Sequence, residues 1–175
     1  MAKDPAAKTA RNRQLLEDMY ATLNENVLGL MERHWKPDMV WDGPAGIGVK
    51  RGVDEFENDY RAAFIRAFPD KSAADVVRIA EGDWVAGTGF QDATFAQDWL
   101  GIPATGKPVR VRYMDFWRIE EDGSGNPKLA ENLVLIDILG VLEQAGYDVN
   151  AVLRYVGSKP PEHFKTNASD ECLDD

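Results

Sequence analysis

The strongest constraint on this chain is a change of hydrophobic period near its middle. Up to Phe68 the apolar residues recur every three to four positions, and from Ala74 onward they alternate. A period of 3.6 marks a helix with one buried stripe, and a period of 2 marks a strand with one buried face. Helical segments followed by a run of strands predict an α+β fold, with helices segregated to one side of a curved antiparallel sheet.

The first helix is expected over residues 9–34, with Leu16, Met19, Tyr20, Leu23, Val27, Leu30 and Met31 on its core stripe. Gly29 can kink it, and Pro37 marks its end because the residue before a proline disfavours helix. A second helix starts near Asp54, where Asp54 and Glu57 have the spacing of a capping box. Its stripe is Phe56, Tyr60, Phe64 and Ala67 or Phe68, and Pro69–Asp70 stops it. Strands are expected over 74–80, 84–95, 109–120 and 133–137, with short helices over 139–145 and 149–156. Gly87 and Gly89 inside a strand predict a bulge or sharp curvature. The GPAGIG run at 43–48 has neither phosphate-loop nor dinucleotide spacing, so it reads as a turn-rich wall.

A sheet bent around helices makes a cone with an open mouth, a natural small-molecule site. A length of 175 residues suits a single domain, with its core over about 12–156, a flexible N-terminus and an acidic C-terminal tail from Ser158. The net charge of −10 repels phosphate backbones and anionic lipid, which argues against nucleic-acid and membrane partners. The N-terminus carries no apolar signal segment, so a cytoplasmic address is expected. Cys172 has no second cysteine to pair with, and His34 and His163 form no ligand spacing, so no metal and no disulfide are expected.

One strand leads to the candidate chemistry. The segment LVLIDILG at 133–140 places Asp137 among apolar neighbours, where a carboxylate is costly unless paired or protonated. The alternative is that Asp137 simply caps the following helix. On the long strand before it, Val111, Tyr113, Asp115, Trp117 and Ile119 share a face that points inward, because Arg110, Arg112 and Arg118 occupy the other. A hairpin centred near Gly125 would set Tyr113 opposite Asp137 and Asp115 opposite Leu135, bringing Asp137 inside. Two carboxylates sharing an apolar cup raise each other's proton affinity. Met114, Phe116, Val134 and Ile136 would then lie outside, as an apolar patch suited to a homodimer.

These segments together resemble the SnoaL-like polyketide cyclase family of the nuclear-transport-factor-2-like (NTF2-like) superfamily. The resemblance rests on WDGPAGIG at 41–48, RAAFIRAFPD at 61–70, WLGIPATGKPVRVRYMDFWRI at 99–119 and ENLVLIDILGVLEQAG at 131–146. It implies a cone-shaped α+β barrel that dimerises through its sheet. It also implies cofactor-independent ring closure by intramolecular aldol condensation, an activity of the lyase or isomerase type. The family's catalytic aspartate matches Asp137, with Asp115 tuning it and Tyr113 donating to the substrate oxygen. Trp41, Phe64, Trp84, Phe90, Trp99, Trp117 and Leu135 would line the cup and hold a hydrophobic substrate, polycyclic ones included. Gln91 and Asn132 are further hydrogen-bonding candidates, with Asn132 on the outer face in this register. Two other functions fit the fold: a non-catalytic binding or dimerisation module, and an epoxide hydrolase needing an Asp-Arg-Asp set inside the cup.

Overall fold

A computed structural model describes residues 4–160 and His163. The acidic tail beyond, Cys172 included, lies outside the described residues. Helix α1 spans Pro5–Leu23, capped by the Asp4 carboxylate on the Ala6 N–H, with proline in the first turn where its missing donor costs nothing. The helix therefore starts before the expected residue 9, and it also stops sooner. Asn24 ends it, Asn26 takes a left-handed φ of 57°, and only a short 3₁₀ turn, Met31–Arg33, follows. The Asn24 side chain bonds both the N–H and the C=O of Ala73, which holds this break against the sheet.

Two strands went unread in the sequence: β1 at Trp35–Asp42 and β2 at Val49–Arg51. The next helical segment runs in three pieces, α2 at Gly52–Glu55, a π-helical stretch at Phe56–Arg61, and α3 at Ala62–Ala67. The capping box does not form as expected. Arg51 occupies the cap and donates its N–H to Glu55. Glu57 is buried and paired with Arg61. Strands β3 (Ser72–Glu81), β4 (Trp84–Thr94), β5 (Pro108–Glu121) and β6 (Pro127–Ile136) follow, then α4 (Ile138–Gln144) and α5 (Val149–Gly157).

The six strands form one curved, unclosed sheet in the order β2-β1-β6-β5-β4-β3 around the helices, an α+β cone. It is mixed rather than purely antiparallel, because β1 runs parallel to β6. A parallel neighbour is available because β1 and β6 are separated by most of the chain, so no tight turn forces them to run antiparallel.

The two strand glycines mark a bulge, as expected. The β3–β4 register shifts between Asp75 and Val77, opposite Gly87–Gly89. A Cβ on Gly89 would lie 2.0 Å from the Ala74 carbonyl oxygen, so only glycine admits this approach. Gly89→Ala should therefore destabilise the fold by about 1–3 kcal/mol. Gly123→Ala, whose Cβ would meet nothing within 4 Å, should stay within about 0.5 kcal/mol of the parent. Urea unfolding of both variants measures the difference.

Candidate functional site

The register of the last hairpin builds the site. The turn is closed by Asp122, whose N–H donates to the Asn126 carbonyl and whose carboxylate accepts from the Ser124 and Asn126 N–H groups. Pairing then starts at Glu121↔Pro127 and runs to Ile119↔Leu129, but the next pair is Arg118↔Glu131. Ala130 is the extra residue, a β-bulge that moves every later β6 side chain to the opposite face. Tyr113 consequently faces Ile136, Asp115 faces Val134 and Trp117 faces Asn132.

This corrects the expected alignment by one residue. Asn132, Val134 and Ile136 line the cup, whereas Leu133 and Leu135 are exposed on the outer face beside Met114 and Phe116. Asp137 falls past the end of β6. It caps α4, its carboxylate accepting from the Gly140 N–H at 2.8 Å, in a shallow depression near Arg112 and Leu139. The pairing with Asp115 drawn from the sequence is not made.

The cup holds about 600 Å³ of empty space, the open solvent at its mouth included. Of the rings expected around it, Trp41, Phe64, Tyr113 and Trp117 line it. Trp99 stands behind, edge-on to Phe64 at 5.2 Å and to Phe68 at 5.5 Å. Phe90 lies on the other face beneath the Arg110 guanidinium at 5.0 Å, and Trp84 lines a separate cleft near Lys8 and Glu121. Trp35, Phe56 and Tyr60 complete the aromatic wall, with Tyr60 stacked on Trp41 at 4.3 Å.

Within this wall Asp115 is 8% exposed and accepts a 2.8 Å hydrogen bond from Asn132 Nδ2. Burial pushes its proton affinity up to about 7; the Asn132 bond opposes the shift and the Asp75 charge adds to it. Asp75, absent from the sequence-based site, is therefore the carboxylate neighbour that Asp137 was expected to be. Its Oδ1 accepts from the Tyr20 hydroxyl at 2.8 Å and the Tyr113 hydroxyl at 2.6 Å, and Oδ2 pairs with Arg78 Nε at 2.6 Å. Gly87 makes room for it, since a Cβ there would lie 2.6 Å from Oδ2. Burial first, then the Asp75 hydrogen bond for Tyr113 and the Asp115 charge for Tyr20, raises the proton affinity of both far above the ordinary phenol value, so both hydroxyls stay protonated.

The rest of the polar lining is Gln91, Arg61 and Lys71. Lys71 is 3% exposed, and burial together with the nearby Arg61 charge lowers its affinity for a proton to about 7. Nothing in the local pattern singled out Lys71, Arg61 or Asp75, because each sits in a segment whose burial is imposed by distant strands. Neither Arg112 nor Arg118 supplies an Asp-Arg-Asp set inside the cup: Arg112 is exposed and Arg118 pairs with Glu131 and Glu120. Among the described residues no cluster of three histidine, cysteine or acidic groups could hold a metal, and no helix is long and apolar enough to cross a membrane.

The SnoaL-like polyketide cyclase model matches residues 13–145, three quarters of the chain. The chain belongs to the SnoaL-like polyketide cyclase family. A search of curated proteins finds no significant match. Among solved structures it is similar to TsrD from Streptomyces laurentii, with 27% identity, a TM-score of 0.65 and coverage of 78% of this chain and 96% of that one. AclR from Streptomyces galilaeus gives 25% identity and a TM-score of 0.66 over 79% and 97% of the two chains. IdmH from Streptomyces antibioticus, at 22% identity and TM-score 0.66 over 78% and 99%, shares the fold. A SnoaL-like structure from Jannaschia and an NTF2-like one from Burkholderia thailandensis, at TM-scores of 0.64 and 0.62, share this fold as well.

The Asp115 shift makes a pH prediction. Its proton is held up to about pH 7 in the folded state, but only to the ordinary 3.8 in the unfolded chain. Between these values the folded state binds more protons at Asp115, so this group's contribution to stability falls as pH rises and is lost above about 7. Asp115→Asn should remove that slope, leaving the variant more stable than the parent by about 1–4 kcal/mol at pH 8 and by less at pH 5. Urea melts at both pH values, with carboxylate titration by NMR, measure it. A titration of Asp115 in or below the ordinary range would overturn the account.

Proposed function

We propose that this protein catalyses cofactor-independent ring closure on a hydrophobic carbonyl substrate, with Asp115 as the acid/base. The observation that carries this reading is a carboxyl group in an aromatic cup whose proton affinity is matched to neutral pH. The Asp115 carboxylate takes a proton from the carbon beside a substrate carbonyl, and the C–H electrons move to that oxygen as an enolate. The enolate carbon then bonds to a second carbonyl carbon of the same molecule. The resulting alkoxide takes the proton back from Asp115, so the enzyme ends as it began.

In this proposal Asn132 positions Asp115, and Gln91 is a neutral donor available for the enolate oxygen. Tyr113 supports the site through Asp75, since its hydroxyl already donates there. Asp137, held as a helix cap, takes no part in proton transfer. Trp41, Phe64 and Trp117 pack on the substrate's flat surface.

The proposal is tested by exchange of the α-protons of 2-tetralone into D₂O, followed by NMR. The parent should accelerate exchange above the buffer rate, and Asp115→Asn should lose about 10²–10⁴-fold of that acceleration. Asp137→Asn should keep it, because asparagine caps a helix as well as aspartate does. Loss on Asp137→Asn with retention on Asp115→Asn would reverse the assignment.

The outer face supports a homodimer as part of the same proposal. Met114, Phe116, Leu133 and Leu135 are 52%, 51%, 38% and 63% exposed, side by side on adjacent strands. Light scattering should give twice the 19.5 kDa chain mass, and Phe116→Glu should reduce it to one chain while leaving the pocket face intact.

A further inference from the structure

The cup has a second polar pole, made of cations. Arg61 is 2% exposed and lines the cup, yet only one of its three nitrogens is paired. Its Nη1 reaches both carboxylate oxygens of Glu57 at 2.8 Å and, more weakly, the Val27 carbonyl at 3.4 Å. Nε and Nη2 are buried and have no hydrogen-bond partner among the described residues. An unpaired buried donor destabilises a fold, and more so when it is charged. Nε and Nη2 together form the guanidinium edge that binds a carboxylate through two parallel hydrogen bonds.

Two more observations converge on the same end. Lys71 also lines the cup; its ammonium donates to the Leu23 carbonyl at 3.1 Å and pairs with no carboxylate among the described residues. Trp35, a third wall residue, has a buried indole N–H without a partner among the described residues. All the unpartnered buried side-chain polar atoms of the cup's lining are therefore N–H donors, two of them on a cation. Glu57 neutralises one positive charge, so Lys71 remains in excess when protonated. Such a pole, buried beneath the segment that follows α1, is complementary to an acceptor carrying negative charge.

We propose that the Arg61–Lys71 end of the cup seats a carboxylate, so that the substrate is a free acid rather than its neutral ester, with its reacting carbon toward Asp115. This rests on the proposed function above, and it adds the substrate's chemical class. A planar carboxylate matches one guanidinium edge plus one ammonium. Binding also satisfies the two orphaned guanidinium donors, which converts a cost of the unliganded fold into affinity.

The test compares benzoate with methyl benzoate, two flat ligands of similar shape that differ in charge, by calorimetry at pH 6 where Lys71 is protonated. Benzoate should bind the parent at least about tenfold more tightly, as expected of hydrogen bonds to charged groups. Contacts from its ring to the Trp41 and Tyr60 rings by NMR would place it in the cup. Lys71→Met should cut the preference for benzoate by at least about threefold, the Arg61 edge keeping the rest, and Lys71→Arg should restore it. Lys71→Gln, which can still donate to the Leu23 carbonyl, is the second charge-removing variant should the methionine protein not fold. Equal binding of acid and ester by the parent overturns the carboxylate seat. A preference that loss of the Lys71 charge leaves unchanged overturns it as well. If benzoate fails to bind while 2-tetralone exchange persists, the seat is wrong and the acid/base reading stands. If both fail, both readings fall.

Discussion

The packing of aromatic rings between the helical segment and the sheet is the constraint on which this structure depends. Trp35 meets Phe56 at 5.5 Å, Tyr60 stacks on Trp41, Phe64 packs on Phe68 at 4.8 Å, and Phe68 stacks on Phe95 at 5.1 Å. This continuous ladder ties the central helical segment to β1 and to the far end of β4. Each ring removes a large apolar area from water, which drives folding. The same exclusion of water sets the chemistry of the cup: neither Asp115 nor Lys71 would depart so far from ordinary behaviour in a solvated cleft.

Against this dry background the polar groups fall into separate sets. One gathers Asp115, Asn132, Asp75, Tyr20 and Tyr113, joined by hydrogen bonds or by charge. The other holds Glu57, Arg61 and Lys71. The π-helical stretch Phe56–Arg61 carries both members of the buried ion pair together with two rings of the wall. Wide helical turns of this kind recur at functional sites. Buried charges without full pairing weaken a fold, and folds tolerate them where a ligand completes the set.

Much of this was legible in the chain. The switch from period 3.6 to period 2 revealed the helix-then-sheet order, and Gly87 and Gly89 revealed the bulge in β3–β4. The inward face of β5, with Tyr113, Asp115 and Trp117, followed from the arginines alternating with it. The strands β1 and β2 were not legible, because β1 is buried only at Trp35, Met39 and Trp41 and lacks strict alternation. Asp75, Lys71 and Arg61 were missed for a related reason: their burial comes from elements far away in sequence.

By itself, then, the sequence determined the class of fold, the curvature of the sheet and one wall of the cup, since these follow from local period, turn chemistry and the cost of burying arginine. The identity of the central carboxylate was decided only in three dimensions. Local pattern favoured Asp137, which sits among leucines and isoleucines in LIDILG. A single extra residue, Ala130, moves the last strand by one position relative to β5. Because side chains alternate along a strand, that step carries Asn132 inward to Asp115 and leaves Asp137 to cap a helix. A bulge of one alanine has no signature in composition or period. It exists because Leu129 and Ala130 are both buried, a demand made by the assembled core rather than by the strand itself.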